Sequence, residues 1–278
     1  MRKTNPDRPL VGEIRAAYEA SAEQWATGPV AVYRRLAVAL IQAAPESLAG
    51  NRVLDLGAGT GVASDVLVDA GARPIGVDLA VAMLRHERSR RPPGVAADAR
   101  ALPFRDGSVD AVVAAFSLNH VPDPALALAE CQRVTRSGGL VLASTFPNDA
   151  EHPAKAMVEA VLEEFGFTRP DWYRTFKEHT AARTGDAEAF ARAAMTAGLT
   201  DVQVDRRDVE AGLDHADVAA KWRLNMPHTI GFVSELDAHT RTELHARATA
   251  ALTSGLPSSV PMLTLRARAA NRSNRIPE

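Results

Sequence analysis

The sequence predicts an α/β fold: a doubly wound, mostly parallel sheet of seven strands with a helical cap over the active site. Apolar runs of strand length alternate with helical patterns over residues 50–146 and account for five strands. This alternation is typical of parallel sheets with helices on both faces. The run 199–210 and the alternating run 261–268 add two strands, the last expected to be antiparallel to its neighbours. Helical patterns with clustered aromatic residues fill the sequence around them, which predicts the cap.

Composition limits the classes of function. The net charge of −2 gives no general reason to expect a nucleic acid partner. The single cysteine, Cys131, excludes an intramolecular disulfide and a cysteine-rich metal site. Residues 1–9 lack the apolar core of a signal peptide, and no uncharged apolar run reaches membrane-spanning length. We therefore expect a cytoplasmic protein with no membrane partner and no nucleic acid partner.

The first strand ends in a glycine loop. Three glycines at alternate positions, Gly57, Gly59 and Gly61, follow the apolar run 53–56 and precede the helical pattern 62–70. Glycine suits such a loop because it adopts positive φ angles without strain and lets a ligand approach the backbone. The N–H groups at the start of the following helix have no partners within the helix. The stretch therefore predicts a ligand site at the carboxyl end of this strand.

The spacing of these glycines indicates which ligand binds. Dinucleotide-binding loops have the pattern G-x-G-x-x-G, whereas Val62 stands here where the last glycine of that pattern would be. The carboxylate of Asp55 would repel a pyrophosphate but suits an ammonium group. Residues 53–61 resemble the first motif of the class I S-adenosylmethionine-dependent methyltransferases. This resemblance implies a Rossmann-like methyltransferase fold and S-adenosyl-L-methionine as cofactor, with S-adenosyl-L-homocysteine as product.

Later strands carry further residues of this pattern. Asp78 lies 21 positions after Gly57, close to the offset of about 20 residues at which such folds place a carboxylate against ribose hydroxyls. Asp98 lies in a stretch resembling the third motif of the family, which implies contacts from its carboxylate and from the Ala99 N–H to the adenine. The full set of predicted cofactor-binding residues is Tyr18, Asp55, Gly57, Ala58, Gly59, Gly61, Asp78, Leu79, Met83, Asp98, Ala99, Phe116 and Ser117.

Histidines are the candidates for a general base. His120 follows the fourth strand, at the sheet edge where open α/β folds bind ligands, and is the predicted catalytic residue. Packing around the cofactor is the alternative for this position. His179 and His228 are further candidates, and His152 lies beside two acidic residues without metal-ligand spacing. No metal is predicted, because methyl transfer from a sulfonium needs none.

The order of the helical and strand patterns predicts a division of the chain into six segments. These are an N-terminal helical arm (1–45), a cofactor-binding core (46–147), a cap segment (148–195), a core strand (196–212), a second cap segment (213–256), and a last strand and tail (257–278). Caps of this kind bind the acceptor. The predicted acceptor contacts are Trp172, Tyr173, Phe176, Trp222 and His228, although a helix also needs such residues for its apolar face.

The function implied is methyl transfer by in-line displacement to an oxygen, nitrogen or carbon nucleophile of a small metabolite, as in secondary metabolism. The acceptor and the oligomeric state stay open, and a homodimer is compatible with this class. Three alternatives remain: a cofactor-binding protein without methyl transfer, such as a cyclase-like catalyst or a regulator; an RNA or protein methyltransferase; and a nicotinamide-dependent dehydrogenase. The near-neutral charge opposes the second, despite arginines at 266, 268, 272 and 275, and the glycine spacing opposes the third.

Overall fold

The protein was analysed as a computed structural model, which describes residues 8–252 and 255–271. Arg272 and Arg275 of the predicted tail lie outside the described residues. Among the described residues, seven strands form one sheet in the order β3-β2-β1-β4-β5-β7-β6. The strands are β1 (Arg52–Leu56), β2 (Arg73–Asp78), β3 (Gly94–Ala96), β4 (Val109–Ala115), β5 (Thr135–Thr145), β6 (Leu199–Glu210) and β7 (Ser259–Ala269).

The direction of the strands matches the prediction. The five strands from β1 to β5 are mutually parallel, whereas β7 lies between β5 and β6 and is antiparallel to both. The carboxyl ends of β1, β2 and β4 therefore meet at one edge of the sheet, where open α/β folds bind ligands. The predicted α/β fold class is confirmed.

Helices cover both faces of the sheet and form the cap. They are α1 (Arg8–Ala20), α2 (Ala22–Thr27), α3 (Val30–Gln42), α4 (Val62–Asp69), α5 (Val81–Arg85), α6 (Pro124–Val134), α7 (Ala154–Glu164), α8 (Asp171–Thr175), α9 (Ala187–Thr196), α10 (Ala216–Leu224), α11 (Pro227–Glu235) and α12 (Ala238–Ala251). No helix in the described part of the chain is both long and apolar enough to cross a membrane.

The strands are buried on both faces. Val113 of β4 packs on one face with Leu40 of α3 and Leu67 of α4. Its neighbour Val112 packs on the other face with residues of α6 and with Phe190 of α9. Successive side chains of a strand point to opposite faces, so a strand buried on both sides appears in sequence as a continuous apolar run.

Two helices lie in different layers from those that the predicted segments imply. The arm was predicted over residues 1–45, but α3 within it packs on the sheet. The first cap segment was predicted over residues 148–195, but α9 packs against the opposite face of the sheet. The arm proper is therefore α1 and α2, and the cap consists of α7, α8 and α10–α12, whose core includes the fully buried Trp222.

Candidate active site

The glycine loop forms the floor of a cavity at the carboxyl edge of the sheet. The N–H groups of Gly57 and Ala58 donate to the carbonyl oxygen of Val77 at 2.7 and 2.9 Å, which joins the ends of β1 and β2. Gly57 has a φ of +71°, and a Cβ there would lie 2.2 Å from the Cβ of Ser117. Gly59 has a φ of +55° with open space where its Cβ would be. Position 57 therefore requires glycine, because a side chain would clash with Ser117. At position 59 the missing side chain leaves room for a ligand.

Asp78 connects this loop to the end of β2. Its Oδ2 accepts from the Gly59 N–H at 2.8 Å, and its Oδ1 accepts from the Ala80 N–H at 2.8 Å. Burial raises the pKa of this carboxyl above its usual range. Asp78 lines the cavity beside Leu79 and Met83. A carboxylate held in this way fixes the loop and retains lone pairs for a ligand with hydroxyl donors.

Asp55 and Gly61 do not line the cavity, in contrast to the prediction. The Asp55 carboxylate is fully buried behind the loop, where the Ser64 hydroxyl donates to it at 2.6 Å. Burial raises its pKa to about 6. Gly61 is the N-cap of α4 with a φ of +89°. Both residues shape the loop from behind, because the chain turns at Gly61 and brings Ser64 back over the strand.

The cavity wall also contains a carboxylate that is already paired with a guanidinium. Arg100 donates to Asp98 from its Nε at 3.0 Å and from its Nη2 at 2.7 Å, and these bonds lower the pKa of Asp98. Asp98, Ala99 and Arg100 all line the cavity. The Oδ1 atom also accepts from the Arg100 backbone N–H at 2.9 Å. Oδ2 keeps a further lone pair, so Asp98 can still accept from a ligand amino group through this oxygen.

The N-terminal arm closes the cavity from above. Tyr18 of α1 hydrogen-bonds His120 through its hydroxyl and the imidazole Nε2 at 3.1 Å. The next residue, Glu19, accepts from the Val81 N–H at 2.7 Å and from the Ala82 N–H at 2.8 Å. It thereby caps α5, whose first N–H groups have no partners within the helix. Sequence analysis missed Glu19 because its partners are backbone groups more than sixty residues away.

His120 lies where the arm, the sheet edge and the cap meet. Its ring stacks on Phe176 at 4.7 Å between centroids, and its Nδ1 is buried with no hydrogen-bond partner in the described part of the chain. Burial lowers the pKa of His120 to about 4 and raises that of Tyr18 well above 10.0. Both side chains are therefore neutral at pH 7, and Nδ1 is free to donate or accept according to the tautomer.

Aromatic rings wall the end of the cavity nearest the cap. Phe116 has a φ of +54°, an unusual backbone conformation for a bulky residue, and its ring packs against Phe146 at 4.5 Å and Tyr33 at 5.4 Å. Strained residues of this kind cluster at functional sites. Tyr33 and Phe116 line the cavity. Sequence analysis missed Tyr33 and Phe146, which lie in ordinary helix and strand patterns.

The predicted acceptor residues fall into two groups. Phe176 stacks on His120, Tyr173 stacks on His228 at 3.7 Å, and Tyr173 and Phe176 lie 5.7 Å apart, so these residues extend from the cavity into the cap. The second group does not line the cavity. Trp172 packs edge to face on Tyr173, and Trp222 is fully buried in the core of the cap.

The other predicted histidines lie apart from the cavity. His152 is buried, and its two ring nitrogens bond the Pro257 carbonyl oxygen and the Ala154 N–H. His179 is exposed. No cluster of three or more His, Cys, Asp or Glu side chains suited to a metal ion occurs among residues 8–252 and 255–271.

Comparison with known proteins identifies the family. A family model described as a methyltransferase domain matches residues 54–143. A demethylmenaquinone methyltransferase of Renibacterium salmoninarum is 37% identical over 158 residues, which are 56% of this chain and 63% of that protein. The enzyme of the same name from Mycolicibacterium gilvum is 35% identical over 182 residues, which are 62% of this chain and 76% of that protein. The match thus spans less than two thirds of the first relative and about three quarters of the second.

Solved structures share the fold. A Haemonchus contortus phosphoethanolamine N-methyltransferase in complex with S-adenosyl-L-methionine superposes with a TM-score of 0.55 at 17% identity, covering 85% of this chain and 52% of that one. The [4+2]-cyclase SpnF superposes with a TM-score of 0.53 at 21% identity, covering 85% and 80%. At these identities the likeness shows the fold alone.

Fold and site together define a Rossmann-like α/β protein with a cavity between a glycine loop and an acidic strand end. The chain belongs to the class I S-adenosylmethionine-dependent methyltransferases, as its sequence relatives show. The predicted family and its cofactor, S-adenosyl-L-methionine, are confirmed.

Proposed function

We propose that this protein transfers the methyl group of S-adenosyl-L-methionine to a small aromatic acceptor of the quinone class, bound between the sheet edge and the cap. The observation that carries the proposal is the change in character along one cavity. Its floor is glycine backbone beside Asp78, whereas its inner end is walled by the rings of Tyr33, Phe116 and His120. A flat acceptor packs favourably on such rings, and relatives named demethylmenaquinone methyltransferases support the quinone class.

The proposed cofactor position follows from the polar groups. The Asp78 carboxylate would receive the ribose hydroxyls, and Asp98 with Ala99 would receive the adenine between Leu79 and Met83. The backbone of residues 57–59 would face the methionine part. Phe116, Ser117 and Tyr18 would then surround the sulfonium, which places the methyl group at the aromatic end of the cavity. The roles of Asp55 and Gly61 are indirect, through the shape of the loop.

The proposed mechanism is direct in-line displacement on the methyl carbon. Alignment of nucleophile, methyl carbon and sulfur contributes about 7 kcal/mol or more when the geometry is well held. The arm and the cap exclude water from the reacting groups. His120 is neutral at pH 7 because burial lowers its pKa to about 4. It would orient the acceptor through a hydrogen bond, and it would accept a proton only from an acceptor that is strongly acidic or positively charged.

Product analysis tests this proposal. The purified protein is incubated with methyl-labelled S-adenosyl-L-methionine and 1,4-naphthohydroquinone, and both S-adenosyl-L-homocysteine and labelled organic product are quantified. Equal formation of the two supports transfer, and fragmentation of the product in a mass spectrometer distinguishes oxygen from carbon methylation. Tight cofactor binding without either product, for this and a panel of other hydroquinones and phenols, would instead favour a cofactor-binding protein without transfer.

The predicted cytoplasmic location, the absence of a nucleic acid partner and the homodimer stay predictions.

A further inference from the structure

A row of stacked rings leads from the cavity into the cap. It consists of His120, Phe176, Tyr173 and His228, and we call it the ring row. His120 and Phe176 are parallel within 6°, and Tyr173 and His228 within 5°. At its far end the Nε2 of His228 lies 3.3 Å from the Nη2 of Arg223. The ring row therefore connects the proposed methyl-transfer position to a guanidinium.

Arg223 is a buried cation without a counterion among residues 8–252 and 255–271. Only 6% of the residue is exposed, and its guanidinium contacts the His228 nitrogen and lies 5.1 Å from the ring of Trp222. No carboxylate of the described residues forms an ion pair with it. Buried charges in proteins are normally paired, because removal from water is costly. A guanidinium in this position is thus suited to an anion supplied from elsewhere.

Lys155 adds a second cation beside it. Its Nζ lies 5.2 Å from the centroid of the Phe146 ring, which packs on Phe116 at the cavity wall. Burial and the nearby charge of Arg223 lower the pKa of Lys155 to about 8. Its carboxylate partner, Glu151 at 3.4 Å, also pairs with Lys177 at 3.0 Å.

The charges around His228 are predominantly positive. Burial lowers the pKa of His228 well below its usual range, and four cations lower it further: Arg223, Arg169, Lys155 and Lys177. The carboxylates paired with this group are Glu159, bound to Arg169, and the shared Glu151. Two carboxylates do not balance four cations, so this part of the cap carries an excess of positive charge.

We propose that the acceptor carries a carboxylate that binds Arg223, assisted by Lys155, while its aromatic ring lies along the ring row toward the cofactor. The inference rests on the proposed function and narrows its substrate class. Arginine suits this task because its planar fork binds both oxygens of a carboxylate. The ring of Tyr173, in the five-residue helix α8, stacks on His228 and would have to move aside for the acceptor to reach Arg223.

Paired probes of equal ring size test the proposal. Protein saturated with S-adenosyl-L-homocysteine is titrated calorimetrically at pH 7.5 with 1-hydroxy-2-naphthoate and with 1-naphthol. We expect the carboxylate to bind at least tenfold more tightly. Equal affinity of the two probes would overturn the inference.

Variants locate the preference. In Arg223→Gln the carboxylate should bind no more tightly than 1-naphthol, and in Lys155→Gln the preference should fall severalfold. Arg247→Gln is the matched control, because Arg247 also lies over a cap ring, at 5.3 Å from Phe165, but is half exposed and paired with Glu164. It should keep the full preference. If Arg223→Gln does not fold, Arg223→Lys gives the same test, since a lysine cannot bind the carboxylate through two parallel N–H groups.

The outcomes separate this inference from the proposed function. Methylation of 1,4-naphthohydroquinone without any preference for the carboxylate probe would leave methyl transfer standing and overturn the anion site. A carboxylate preference that persists in both Arg223→Gln and Lys155→Gln would also overturn it. A preference that disappears in Arg223→Gln, in a protein that transfers no methyl group, would support the anion site and contradict the proposed function.

Discussion

The cofactor side of the cavity and the cap side are built in different ways. On the cofactor side, backbone groups and short side chains at strand ends are fixed by bonds such as that from the Gly59 N–H to Asp78 at 2.8 Å. On the cap side, long side chains from separate helices meet, as where Tyr173 stacks on His228. A site formed by glycine backbone tolerates few substitutions, because any side chain there alters the loop. A site formed by side chains changes its shape and charge with each residue that is substituted. The difference suits a constant ligand on one side and a variable one on the other.

The largest expected effect tests the rigidity of the cofactor side. Gly57→Ala places a Cβ 2.2 Å from the Cβ of Ser117 in a backbone with a φ of +71°, so the loop must shift. We expect binding of S-adenosyl-L-homocysteine to weaken by about 3 kcal/mol or more, which is at least about a hundredfold in calorimetry. Gly50→Ala is the control: its φ is +75°, but no atom of the described residues lies within 4 Å of the new Cβ. Comparable losses in both variants would contradict the prediction.

His120 lies at the boundary of the two regions. The effect of its protonation on the pH dependence of stability measures how far water is excluded from this boundary. Burial lowers its folded-state pKa from 6.5 to about 4. Above pH 6.5 neither state binds the proton; as pH falls from 6.5 to 4, the unfolded state binds it first and stability is lost. We expect wild type to lose about 3 kcal/mol over this range relative to His120→Asn, measured by urea unfolding.

Two comparisons make this prediction specific. Asp55 acts in the opposite direction, since burial raises its pKa to about 6 and the protein gains stability as this carboxyl is protonated. Comparing variant and wild type at each pH removes this shared contribution. The exposed His179 provides the control, and His179→Asn should follow wild type at every pH. A constant difference between His120→Asn and wild type from pH 7 to 4 would show that His120 is hydrated.

Asp78→Asn tests whether the cofactor side depends on charge as well as on shape. The asparagine NH₂ group would face one of the two N–H donors, from Gly59 or Ala80, that the carboxylate now binds. We expect S-adenosyl-L-homocysteine to bind about 2 kcal/mol more weakly, roughly thirtyfold. Asp110→Asn, at the opposite end of the sheet beside Arg52 and Arg136, is the control and should bind normally. Unchanged affinity in Asp78→Asn would reject the ribose assignment.

The smallest expected effect concerns the arm that joins both regions. Glu19→Gln replaces one acceptor oxygen of the cap on α5 with a donor, which should weaken arm docking and cofactor affinity by about 1 kcal/mol. Glu13→Gln changes an exposed glutamate of the same helix and should have no effect. Titration of both variants with S-adenosyl-L-homocysteine decides this, and equal affinities would mean that the arm does not contribute to binding.

The cofactor side was more predictable from sequence than the cap side for a physical reason. Its residues follow strand ends, and an apolar run ending in glycines or an acid can be recognised in a few consecutive residues, as for Gly57 and Asp78. Placement behind the loop could not be predicted for Asp55, because it depends on how α4 returns Ser64 to the strand. The role of Glu19 could not be predicted from the sequence, since its partners are backbone N–H groups that have no sequence signature.

The cap side could be predicted only in outline. Helical patterns with aromatic residues indicated a cap, but they did not distinguish α9, which packs on the sheet through Phe190, from true cap helices. Nothing in the sequence distinguishes the Tyr33 and Phe146 rings from core residues. The burial of Arg223 could not be predicted either, because the residues around it do not mark it. Its role depends on which charges surround it in the fold.

The strand order has a consequence for how such proteins diverge. The chain segments that carry the cap leave the sheet from β5 and β6 and return to it at β6 and β7, which are adjacent strands at one side of the sheet. The strands that hold the glycine loop and Asp78 lie at the other side. Substitutions or insertions in the cap segments therefore need not disturb β1 and β2, and a protein of this fold can change its cap side while it keeps its cofactor side.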